Sequence, residues 1–205
     1  MAHGGTLKDE MSVKINPISL RGPWKFGVAL DFQTTSSVLI GTDQWGHKRF
    51  DTSRPPMGEL LYRLKYGNDP TAVQEIVETV AGFLRTLNVE VNCIVPVPPS
   101  KDRKFQPLLA VAAALGKRTG IPVCGECVSK VKATGQLKDE MDYGKKVDAL
   151  KDAVTVDRSL TEGARILLLD DLYQTGATVD TITRKLIQDG GAAAVYVLTL
   201  TKSRR

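Results

Sequence analysis

The chain has 205 residues, 42% of them hydrophobic, with 28 basic against 23 acidic side chains for a net charge of +5, and three cysteines. That content can bury one main α/β core, and no window holds the roughly 18 uninterrupted apolar residues of a membrane helix. The odd cysteine count argues against a disulfide framework and for free thiols in a reducing compartment, and the N-terminal "MAHGGTLKDEMSVK" has no signal-peptide core, so a cytoplasmic protein is expected.

Residues 1–15 are polar and contain glycine, as in a flexible terminus. Residues 16–57 hold three β-rich runs, "KFGVALDFQ", "SSVLIGTD" and "HKRFDT", separated by polar turns, and are expected to form a small antiparallel unit. Residues 58–205 form the expected core. In "GNDPTAVQEIVETVAGFLRTLN", Asp69 is placed to cap a helix, Pro70 sits in its first turn, and Val73, Ile76, Val77, Val80 and Leu84 recur at helical spacing.

A buried strand, "VNCIVPVPPS", comes next, then an Ala/Leu-rich helix from Pro107 to Lys117 closed by Gly120, then a short strand, "IPVC". Residues 129–151 turn polar and lysine-rich and read as a mobile arm. The remainder alternates "DAVTV", "ARILLLDD", a helix from about Thr178 to Gln188, and "AAVYVLTLT". Continuous apolar strands alternating with helices predict an open parallel sheet flanked by helices.

The segment Ile166–Asp180, "ILLLDDLYQTGATVD", carries the chemistry. Ligands of such sheets sit beyond the carboxyl ends of the strands, where Asp170 and Asp171 fall. Adjacent carboxylates repel and are costly to bury unpaired, so they call for hydroxyls, cations or a metal. Thr175-Gly176-Ala177-Thr178 then supplies two hydroxyls, a glycine for close backbone approach and a helix start whose free N–H groups suit a phosphate. A sugar phosphate satisfies both halves. The bland reading, an acidic loop followed by a capped helix, would explain either half alone. No Walker loop ending or dinucleotide G-x-G-x-x-G is present at this strand.

"ILLLDDLYQTGAT" resembles the phosphoribosyl pyrophosphate (PRPP) signature of type I phosphoribosyltransferases. "LKYGND" from Leu64, "VPVPPSKDRKFQP" from Val95 and "GAAAVYVLTLTKS" from Gly191 extend the resemblance to the ComF-like branch, from about Gly58 to Ser203. The resemblance implies a type I phosphoribosyltransferase-like fold in which the N-terminal β unit serves as a hood, and displacement of pyrophosphate from ribose C1 by a nitrogen acceptor. Mg²⁺ would be carried by the pyrophosphate, with no direct protein ligand. Asp170 and Asp171 would be catalytic and hold the ribose. Together with Leu172, Tyr173, Gln174, Thr175, Gly176, Ala177 and Thr178 they would bind PRPP, ribose 5-phosphate or a nucleotide. Pro99, Ser100, Lys101, Arg103 and Lys65 would bind the pyrophosphate. The alternative is a non-catalytic binding or regulatory module linked to DNA uptake. The expected partners thus include nucleic acid and further copies of the chain, with no membrane.

Three features depart from that pattern. The family commonly begins with a cysteine-rich zinc module, whereas residues 1–92 contain no cysteine. Gln174 stands where relatives often carry Thr or an acid, and an amide cannot accept a proton at neutral pH, which leaves the general base unassigned. Cys124 and Cys127 form a C-x-x-C with no second ligand pair nearby, so they are expected as thiols rather than a zinc site, with Cys93 in the core.

Overall fold

The apolar run Ile166–Leu169 is divided between two cores. Ile166 and Leu168 pack into one and Leu167 and Leu169 into the other, because successive strand side chains point to opposite faces. A strand buried on both sides needs cover on both sides, and the chain supplies it.

The computed structural model describes residues 12–67, 69–99, 104–130 and 153–204. In chain order the elements are β1 (Ile18–Ser19), β2 (Phe26–Phe32), β3 (Ser36–Thr42), β4 (Lys48–Ser53), α1 (Pro56–Tyr66), α2 (Thr71–Thr86), β5 (Cys93–Pro96), α3 (Pro107–Thr119), β6 (Val128–Lys130), β7 (Val154–Val156), α4 (Arg158–Thr161), β8 (Arg165–Tyr173), α5 (Ala177–Gln188) and β9 (Ala194–Lys202). Among these, five strands form the central sheet in the order β1-β2-β9-β8-β5. β2, β9, β8 and β5 run parallel, and β1 is antiparallel to β2. The expected α/β class with a mostly parallel sheet is therefore the observed one.

One face of the sheet packs against α1, α2 and α3 through residues such as Leu61, Ile76 and Leu115; the other packs against α5 and the β6–β7 pair through Val128, Val154 and Ile182. Each such side chain contributes about 1.5–3 kcal/mol by leaving water. α2 begins just after Asp69, whose Oδ1 accepts the Thr71 N–H at 2.9 Å. α3 ends on Gly120 in the left-handed conformation, φ +74°.

Two segments differ from the sequence reading. The three N-terminal β runs do form strands, but only β3 and β4 pair as a hairpin; β2 joins the main sheet, with Phe26 opposite Tyr196 and Asp31 opposite Thr201. The reason is burial: "GVALD" within β2 is buried throughout, whereas every residue of β3 is exposed. The "IPVC" run makes a single bridge, Val123 to Ile94. Residues 131–151 of the expected arm and residues 1–11 lie outside the described residues, while Ser129 and Lys130 belong to β6.

The helix α1 follows from Pro55-Pro56 and from Met57, Leu60, Leu61 and Leu64, all buried on one face. Gly58 lets it approach β2 closely, since a Cβ there would overlap the Gln33 carbonyl. That approach brings the last turn of α1 to the carboxyl edge of the sheet.

Candidate functional site

β8 delivers Asp170 and Asp171 to the carboxyl edge of the sheet, between β9 and β5. Asp170 Oδ1 accepts the Asp171 N–H at 2.8 Å. Asp171 Oδ2 lies 2.6 Å from Lys65 Nζ, and its main-chain carbonyl accepts the Thr201 hydroxyl at 2.9 Å. Lys65 thus reaches the acid pair itself.

Asp170 is enclosed on most sides, and its carboxyl is pushed up to about 7 from an ordinary 3.8. Burial is the main cause and the charge of Asp171 the second; the Asp171 N–H, Lys65 and Lys130 pull the other way. Lys130, on β6, answers in kind: burial lowers its pKa and the charge of Asp170 raises it. Lys65 contacts the pair directly, and the charge of Lys130 is felt by Asp170. Asp31 on β2, 6% exposed, is a further acid toward this edge; its Oδ1 accepts the Phe32 N–H at 2.8 Å.

Immediately after β8 the chain turns through Gln174 and Thr175 into Gly176, which caps α5 in the left-handed conformation, φ +84°. Two constraints demand glycine there. A side chain is strained at that φ, and a Cβ would also overlap the Tyr173 phenol. Tyr173 is half-buried, its pKa raised by burial first and by Asp180 second. Ala177 N–H turns to Thr175 Oγ1 at 3.4 Å, while the N–H groups of Gly176, Thr178 and Val179 have no hydrogen-bond partner among the described residues. Unsatisfied donors at a helix start favour an anion. The buried Asp180, paired with Arg184 at 2.6 Å, complements the same helix end.

Leu172 and Gln174 are half-buried beside the pair. Pro99 is exposed in the loop after β5, and that loop starts alongside the acids because the Val97 N–H donates to the Leu169 carbonyl at 2.9 Å. Ser100, Lys101 and Arg103 lie outside the described residues. The sequence reading gave no site role to Lys130 or Asp31. An acid inside the otherwise apolar "GVALDF" was the available signal for Asp31; for Lys130 there was none.

The cysteine expectation is corrected. Cys124 and Cys127 are joined in a disulfide, and Cys93 alone is a free, buried thiol. The cysteine count suggested otherwise because it carries no information on proximity, and here a turn of two residues brings the pair together. Among the described residues no group of three or more His, Cys, Asp or Glu could hold a metal, and no helix is long and apolar enough to cross a membrane.

No protein-family model matches the chain. Over 155 residues, 72% of the chain, it is 30% identical to the competence protein ComFC of Bacillus subtilis strain 168. The chain is a relative of ComFC. It spans 60% of ComFC's length. Solved structures similar to this ComFC relative include adenine phosphoribosyltransferase from Trypanosoma brucei in complex with AMP, pyrophosphate and ribose 5-phosphate, at 12% identity over 90% of this chain and 73% of the other, with a TM-score of 0.48. Another is the allosteric regulatory enzyme of purine biosynthesis, at 18% identity over 77% of this chain and 34% of the other, with a TM-score of 0.47.

Proposed function

We propose that the chain binds PRPP, or the ribose 5-phosphate part of a nucleotide, at the end of β8 and catalyses phosphoribosyl transfer to a nitrogen acceptor. The observation that carries this reading is the juxtaposition on one short segment of a carboxylate pair and a helix start with unpartnered N–H groups. Carboxylates accept hydrogen bonds from vicinal hydroxyls, and the helix start accepts a phosphate; a ribose 5-phosphate carries both in one molecule.

In the transfer, the bond between ribose C1 and pyrophosphate weakens while the nucleophile approaches, and positive charge grows on the ribose. Asp170 and Asp171 would hold the 2′- and 3′-hydroxyls and stabilise that charge, with Lys65 orienting the Asp171 carboxylate. The loop from Gln174 to Thr178 would fix the 5′-phosphate. Pro99, Ser100, Lys101 and Arg103 are proposed for the pyrophosphate, where cations and loop N–H groups offset the leaving charge. Mg²⁺ carried by the pyrophosphate, with no direct protein ligand, suits this edge, where a nearby cation would offset the charge of the Asp170–Asp171 pair. It would supply charge neutralisation for the departing pyrophosphate.

The amide at Gln174 favours a second reading, in which the same pocket binds ligand without catalysing transfer, because no proton acceptor stands in that loop. A thermal-shift series with PRPP and Mg²⁺, ribose 5-phosphate and AMP tests the ligand: all three at saturation leaving the transition unmoved would sink both readings. Pyrophosphate release from PRPP across a panel of bases separates enzyme from module.

A further inference from the structure

The C-x-x-C plays no part in the ligand reading, yet the structure gathers all three cysteines on the face of the sheet that β6 covers. We propose that the Cys124–Cys127 disulfide is a redox-modification site, opened by an external dithiol that enters at Cys124.

The two sulfurs are unequally placed. Cys124 is half-buried and followed by exposed Gly125 and Glu126, whereas Cys127 is 0% exposed. An incoming thiolate must attack along the S–S axis, and of the two residues only Cys124 has any exposure to solvent. The sequence separation of three also matters. A crosslink closing so short a loop restrains the unfolded chain little, so the fold does not depend on it and the bond can open without global unfolding.

The reduced state is already accommodated. Cys127 Sγ lies 3.9 Å from the Leu160 carbonyl oxygen, a weak acceptor contact that an S–H can complete once the disulfide is gone. Its apolar neighbours suit a buried thiol. Cys93 stands next to the pair, but it is held in β5 and burial, the larger effect, pushes its thiol up against the opposing pull of the Cys124 amide, so it stays protonated and does not compete.

The exchange balances as a two-electron step. One thiolate of the reductant attacks Cys124 Sγ, forming a mixed disulfide; the Cys124–Cys127 bond breaks and Cys127 leaves as a thiolate that takes up a proton. The second thiol of the reductant then displaces Cys124, and the reductant departs as its own disulfide. Cys127 leads directly into β6, where its carbonyl accepts the Asp157 N–H at 3.0 Å and Lys130 lies three residues on. Opening the bond therefore removes the covalent tie at the start of β6.

The test uses the whole, native chain and dithiothreitol as the dithiol. Purified protein is titrated without denaturant, alkylated and mapped by mass spectrometry, with hydrogen exchange followed in parallel. Expected are labels on Cys124 and Cys127 after reduction, retention of the cooperative unfolding transition, and at least severalfold faster exchange of the Val128–Lys130 amides with β8 unchanged. In a second arm, Cys127→Ser should form a mixed disulfide with oxidised glutathione at Cys124, and Cys124→Ser should form none at Cys127. The proposal is overturned if Cys124 and Cys127 are free thiols before reduction, if the bond resists dithiothreitol until the protein unfolds, or if glutathione reacts faster at Cys127 than at Cys124. These readouts involve no sugar phosphate, so they stand or fall apart from the ligand assignment.

Discussion

Lys65 Nζ and Asp171 Oδ2 are 2.6 Å apart, an ion pair that ties the last turn of α1 to the end of β8 across the carboxyl edge of the sheet. Both side chains are mostly buried, 17% and 25% exposed, so the pair is screened less than a surface contact. It also holds down the pKa of the neighbouring Asp170.

Lys65→Met should therefore destabilise the fold by about 1–3 kcal/mol, between the values typical of exposed and fully buried pairs, because Asp171 loses its counter-charge beside a second acid. Urea unfolding measures it. Unchanged stability would mean that Asp171 is already compensated by other groups.

Asp170 gives the stability a pH dependence of defined sign. Its folded pKa is raised to about 7 from 3.8, so the folded chain binds this proton more tightly than the unfolded chain does. The stabilisation it contributes is full below the unfolded value and is lost as pH rises through about 7. Asp170→Asn removes that slope: relative to the native sequence, the variant should gain more melting temperature at about pH 8 than at about pH 5. Equal shifts at both would show that Asp170 titrates normally.

Replacing both acids, Asp170→Asn with Asp171→Asn, keeps size and removes charge. Each lost charge-assisted hydrogen bond is worth roughly 1.5–3 kcal/mol, so ribose 5-phosphate affinity should fall by at least about tenfold while the fold persists. Calorimetric titration reads this directly, and undiminished binding by the folded double variant would move the site elsewhere.

Gly176→Val should cost at least about 1–2 kcal/mol from its left-handed backbone alone, with overlap against Tyr173 added, and should abolish the melting-temperature gain from phosphate or sulfate. Adding Tyr173→Ala relieves only the overlap, so it should restore part of the stability and none of the backbone cost. A full phosphate response from Gly176→Val would show that the helix start is not the cradle.

What could be read from the sequence was what is local along it. Four apolar residues, two acids and a Thr-Gly turn lie in order, and strand, site and helix follow in that order. The helix α1 was not identified, although Met57, Leu60, Leu61 and Leu64 carry its spacing. Pairings between distant segments were not legible. Nothing in "FGVALDF" says that it pairs with β9 rather than with the hairpin that follows it, apart from a burial demand that only the assembled layers reveal. The contact of Lys65 with Asp171 likewise depends on tertiary proximity, whereas the C-x-x-C is local and only its oxidation state was missed.

The position of β9 sets the order in which the chain can assemble. It lies between β2 and β8, so Phe26 cannot find Tyr196, and β8 cannot gain its second neighbour, until Ala194–Lys202 has been synthesised. Until then the nascent chain carries two apolar strands without their common partner, while α1, α2 and α3 have already left the ribosome. So high a contact order implies slow folding and an exposed, association-prone intermediate during synthesis. A chain stopped just before Ala194 would still hold every residue of the acid pair and the phosphate loop, with only the β5–β8 pair on which to hold them.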